Sequence, residues 1–86
     1  MIFYDFEVFR FDWLVVLVDP SNDDETVIIN DRSRLSDFYN DHYNDIWVGF
    51  NSAHYDQYIL KAIICGVSPW ECSDFIISQK KPGWQF

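Results

Sequence analysis

The stretch Phe3-Tyr4-Asp5-Phe6-Glu7-Val8-Phe9 reads as a β-strand of aromatic and aliphatic residues that carries two acids two positions apart. Side chains alternate between the two faces of a strand, so Asp5 and Glu7 point one way while Tyr4, Phe6 and Val8 point the other. Two carboxylates then stand side by side. Acids have low strand propensity, and burying a charge without a partner is expensive, so the pair needs a physical cause. Two causes fit. Mg2+ and Mn2+ prefer oxygen ligands, and two carboxylates on a rigid strand can hold one or two such ions. Alternatively the strand has one wet face, where Asp and Glu guard an edge against aggregation.

Residues 2–9 form a first strand, and Arg10-Phe11-Asp12 makes a tight connection. Trp13-Leu14-Val15-Val16-Leu17-Val18 is a continuous apolar run, which predicts a second strand covered on both faces and paired with the first as an antiparallel hairpin. Asp19-Pro20-Ser21-Asn22-Asp23-Asp24 is a turn by composition, and Thr26-Val27-Ile28-Ile29 is a third strand. After Asn30 the period changes: Leu35, Phe38, Tyr39, His42 and Tyr43 recur at helical spacing, with Asp31 or Ser33 as the amino-terminal cap. Ile46-Trp47-Val48-Gly49-Phe50 predicts a short buried strand, and Asn51-Ser52-Ala53-His54 a loop. A second helix follows from Tyr55 to Cys65, burying Tyr55, Ile59, Ala62 and Ile63 and stopping at Gly66, which tolerates the left-handed conformation of a helix end. A short helix is expected over 70–79, and 80–86 reads either as a turn and strand or as a chain end. Trp13, Trp47 and Phe50 belong to the expected core, whereas Trp70, Trp84 and Phe86 either pack or meet a partner.

The order βββαβα predicts an α/β fold: a three-stranded antiparallel meander, a parallel fourth strand, and two to three helices against the sheet. The chain has 86 residues, enough for one small domain over 1–86. At this size only roughly 60–65% of the unfolded chain's surface is buried on folding. Aromatic residues make up 20% of the chain, which lets so thin a core hold together. Net charge is −8, with only six Lys and Arg, so the chain by itself repels nucleic acid, whose affinity rests on basic side chains displacing counterions. The same acidity suits the basic groove of a nucleic-acid enzyme. Cys65 and Cys72 lack zinc-site spacing, and no leader segment or long apolar run is visible, so the expectation is a cytoplasmic protein with reduced, packed thiols and no membrane partner. His42 and His54 are isolated and read as helix-surface or cap-region residues.

With the element order in place, Asp5-Phe6-Glu7 resembles the DxE first motif of the 3′-to-5′ exonucleases with the ribonuclease-H-like fold, the family of DNA polymerase proofreading domains. Gly49-Phe50-Asn51-Ser52-Ala53-His54-Tyr55-Asp56-Gln57-Tyr58-Ile59-Leu60 resembles the second motif, an Asn at a strand end followed by an aromatic-Asp pair that opens a helix. The likeness spans residues 1–66 and is nearest to the amino-terminal exonuclease region of phage-type DNA polymerases.

The resemblance implies that Asp5, Glu7 and Asp56 bind Mg2+ or Mn2+ and are catalytic, and that Asn51 and Tyr55 position the substrate, a single-stranded DNA 3′ end. The implied chemistry is two-metal phosphodiester hydrolysis, with ions roughly 3.5–4 Å apart, one orienting hydroxide and one stabilising the leaving oxygen. The family's third motif, a Tyr or His shortly before a further Asp, has no counterpart here. The only acids after Asp56 are Glu71 and Asp74, and Trp70 stands where a proton acceptor is needed. The expectation is therefore the leading half of an exonuclease domain in a bacterial or phage-infected cell, incomplete on its own and completed by the rest of a polymerase, another polypeptide or a second copy. The alternative is an inactive acidic interaction protein that occupies the nucleic-acid groove of an enzyme such as a host defence (CRISPR) nuclease. Asp23-Asp24-Glu25 and Asp37, Asp41 and Asp45 are the acidic clusters that reading would use.

Overall fold

The meander expected from the first thirty residues is the frame of the computed structural model, which describes residues 1–49 and 55–77. Strands β1 (Ile2–Val8), β2 (Trp13–Asp19) and β3 (Asp24–Ile29) run antiparallel in sequence. Helix α1 (Arg32–Asp41), strand β4 (Trp47–Gly49), and helices α2 (Asp56–Ile64) and α3 (Pro69–Ile77) follow. The sheet order is β3-β2-β1-β4, and β4 lies parallel to β1 with Ile2 opposite Trp47 and Tyr4 opposite Gly49. The described chain is thus a small α/β unit with a four-stranded mixed sheet and three helices. Phe50, and the part of the last expected helix beyond Ile77, lie outside the described residues.

Each junction has a local cause. Between β1 and β2, the Phe9 N–H donates to the Asp12 carbonyl at 2.7 Å. Between β2 and β3, the Asp19 carboxylate accepts from the Ser21 N–H at 3.1 Å and from Asn22 Nδ2 at 2.7 Å, and the Asn22 bond holds this acid below the usual carboxylate range. Asn30 sits in the left-handed region at φ 53°, and its side-chain oxygen accepts from the Trp13 N–H at 2.7 Å, tying the end of β3 to the start of β2. Of the two candidate caps for α1, Asp31 is the one used, accepting from the Arg34 N–H at 3.0 Å. His42 closes the other end of that helix and stacks on Phe38. Helix α2 ends as expected at Gly66, whose φ of 80° lets its N–H reach the Ile63 carbonyl and the Val67 N–H reach Ala62.

The core lies on one face of the sheet. Ile2, Tyr4, Phe6, Trp13, Val15, Leu17 and Ile28 project there and meet Leu35, Ile59, Leu60, Ala62, Ile63 and Cys72 from the helices. Trp47 is half-buried and packs against this cluster. Three expectations are corrected. The strand expected to be buried over Ile46–Phe50 is described as β4, Trp47–Gly49, at the edge of the sheet and only half-buried, with Ile46 exposed. The apolar run of β2 is not covered on both faces: Trp13, Val15 and Leu17 are buried while Leu14, Val16 and Val18 are only partly so. All three described helices follow the meander in the chain, and those that contribute core residues do so on the Val15 side. Cys65 is exposed rather than packed, because it follows the last turn of α2, whereas Cys72 is buried.

Candidate functional site

Asp5 and Glu7 project on the face opposite the core, as the strand period requires, opposite Val16 and Leu14 of β2. Asp5 is half-buried and Glu7 is exposed. Their facing residues in β2, Val16 and Leu14, are aliphatic, so the two acids stand beside an apolar strand.

Asp56 arrives differently. It opens α2, where the helix dipole favours an anion, yet its side chain has no exposed surface at all. The reason lies in the ladder of β1. The Ile2 N–H donates to the Ile46 carbonyl at 2.7 Å, and the two-residue repeat puts the Tyr4 and Phe6 N–H groups on that same edge. The β1–β4 pairing runs only to Tyr4 opposite Gly49. The next donor, the Phe6 N–H, is taken by Asp56 Oδ1 at 3.3 Å. A helix carboxylate therefore continues the hydrogen-bonding edge past the end of the paired strand, between the two acids of β1.

Gly49 makes room for it. A Cβ at that position would stand 3.0 Å from both the Cβ and Oδ2 of Asp56. Gly49→Ala is accordingly expected to push Asp56 off the Phe6 N–H and to destabilise the fold by about 1–3 kcal/mol. Chemical denaturation followed by circular dichroism checks this; an unchanged midpoint would mean the carboxylate gives way at no cost.

Two phenols near Asp56 are raised, both chiefly by burial. Tyr4 is pushed up to about 12, first by burial and then by the Asp56 carboxylate and Tyr39, so it stays protonated at neutral pH. Tyr55 is also raised, chiefly by burial; the Ser73 hydroxyl, 3.0 Å from its oxygen, pulls the other way, while Asp56, Cys72 and Asp5 add to the rise. Ser73 of α3 thus holds the Tyr55 hydroxyl.

Compared with known protein families, curated proteins and solved structures, the chain finds no match. The site therefore stands on its own geometry. Asp56 meets β1 at the Phe6 N–H, the residue after Asp5, and Glu7 sits one alternation further on the face opposite the core. Asn51 lies outside the described residues, as does His54. Carboxylates are the right donors for a hard divalent ion. Among the described residues, however, no three His, Cys, Asp or Glu side chains gather into a group that could hold a metal. The acids as placed do not make a complete metal site, and no hydrolytic step is assigned to them alone.

Three features of the site were not foreseen from sequence: the burial of Asp56, the close approach at Gly49, and the Ser73 hydroxyl on Tyr55. A glycine closing an otherwise bulky strand just before a helix was the visible signal for the second. No helix of the described chain is long and apolar enough to cross a membrane.

Proposed function

We propose that this chain is the leading portion of a 3′-to-5′ exonuclease-like module of the ribonuclease-H-like type, related to the proofreading region of phage-type DNA polymerases. The observation that carries the reading is Asp56, whose carboxyl group reaches from the first turn of α2 to the Phe6 N–H of β1, the strand that carries Asp5 and Glu7. The meander with a parallel strand beside β1 supports the same reading. In a complete module Asp5 and Glu7 would hold Mg2+ or Mn2+, which supplies Lewis-acid stabilisation and an activated water. Asn51 and Tyr55 would line the path of a DNA 3′ end. The chain lacks the last acid and general base, so those groups come from elsewhere in the polymerase, another polypeptide or a second copy.

Mn2+ added to 15N-labelled protein tests this. Selective paramagnetic broadening of amides around Asp5 and Glu7, lost in Asp5→Ala, is the expected result, together with no shortening of 5′-labelled single-stranded DNA. Absence of local broadening overturns the exonuclease reading. Stepwise 3′ shortening that vanishes in Asp5→Ala overturns the claim that the module is incomplete.

A second reading has its own observation. Asp23, Asp24 and Glu25 at the β2–β3 end, and Asp37, Asp41 and Asp45 around α1, are all exposed. Such a surface suits an inactive acidic protein that fills the basic groove of a nucleic-acid enzyme, of which a CRISPR nuclease is an example. Its mark is partner binding that weakens with salt and survives Asp5→Ala.

A further inference from the structure

A cavity of about 300 Å3 opens between the end of α1, strand β4 and α2, away from Asp5 and Glu7. Its walls include four aromatic rings: Tyr4, Tyr39, Tyr43 and Trp47. They are set at steep angles to one another. Tyr39 meets Tyr43 at 87° with centroids 6.0 Å apart, Tyr4 meets Trp47 at 66° and 5.5 Å, and Tyr39 meets Trp47 at 52° and 5.3 Å. The indole nitrogen of Trp47 donates to the His42 carbonyl at 3.0 Å, which fixes that ring.

Charge selects the ligand. Asp45 stands at the rim, its carboxylate exposed, 2.8 Å from His42 Nδ1 and 3.9 Å from the terminal ammonium of Met1. Lys61 also lines the cavity, but its ammonium lies 5.7 Å from the centroid of the Tyr58 ring, which is not part of the wall. The wall thus combines four aromatic rings with the apolar Leu60 and Ile64, the polar Gln57, one acid and one ammonium, in a chain of net charge −8. Ring faces carry negative quadrupole charge and hold cations that are weakly hydrated. The size is at the lower end of small-molecule sites, which begin near ~300 Å3.

We propose that this cavity binds a small quaternary ammonium group, with Tyr39, Tyr43 and Trp47 as its cage and Asp45 as its counter-charge. The proposal uses none of the acids of the exonuclease reading and stands or falls separately from it.

The test titrates choline into 15N-labelled protein and follows the Trp47 indole resonance, with 3,3-dimethyl-1-butanol as the neutral carbon isostere. Choline is expected to shift that resonance with a dissociation constant on the order of millimolar, as befits so small a ligand. The isostere is expected to bind about tenfold more weakly, as is choline to Tyr43→Ala, while Tyr43→Phe keeps the ring and the affinity. Tyr43 is 67% exposed, so its truncation leaves the fold intact. Equal binding of choline and the isostere, an unchanged constant in Tyr43→Ala, or no shift at Trp47 overturns the proposal. A trimethyl-lysine peptide run beside choline distinguishes the source: tighter binding of the peptide assigns the cation to a protein partner, equal binding to a free ligand.

Discussion

Asp56→Ala is expected to lower the unfolding free energy by about 2–3 kcal/mol, because it strips a carboxyl acceptor from a buried donor. In a domain of this size that corresponds to a fall of roughly 10–20 °C in melting temperature. The Phe6 N–H lies on the β4 edge of β1, past the last pairing of β4, and receives Asp56 Oδ1 at 3.3 Å. With alanine there, the donor is stranded next to a void on the site's inner side. Glu7→Ala provides the contrast. Glu7 is exposed, and its loss is expected to change stability by no more than about 0.5 kcal/mol. Urea unfolding of both variants decides the matter. Similar costs for the two would show that Asp56 is held no more firmly than a surface acid, and its role as an extension of the sheet edge would be lost. The result also bears on chemistry: an acid that carries part of the fold is retained even where no metal is bound.

Leu17→Ala is expected to cost about 3 kcal/mol, whereas Val16→Ala, its immediate neighbour, should cost about 1 kcal/mol or less. Leu17 is 1% exposed and sits in the helix-covered core; Val16 projects to the face that carries Asp5. Both lie in the same apolar run, and both pair within the same ladder, so strand propensity does not separate them. Only coverage does. Thermal unfolding of the two variants measures it, and equal losses would mean that the Asp5 face is packed as tightly as the other.

The elements themselves were legible in sequence. Alternation in Phe3–Phe9 placed Asp5 and Glu7 together and Tyr4 and Phe6 on the opposite face, and the structure has both arrangements. Asn30 and Gly66 stopped β3 and α2 where expected, since few residues adopt positive φ at low cost. The uniform run Trp13–Val18 misled, because period-2 alternation cannot be seen when every residue is apolar. Cys65 misled for a related reason: a thiol packs only if its helix turn faces inward, and the turn of α2 ends one residue earlier.

What the chain order settles is local: the strand and helix periods, the end at Gly66, and a pair of acids on one strand face. These follow from backbone geometry and near neighbours, which the chain order already contains. Packing settles which groups meet across the fold. Asp56 reaches the Phe6 N–H from fifty residues away because β4 lies parallel beside β1 and Gly49 leaves room at its end. The same placement of β4 sets Trp47 against Tyr4 and Tyr39 and so forms the aromatic cavity. Burial gave Asp56 and Tyr4 their properties, and burial belongs to the packed whole rather than to any stretch of chain.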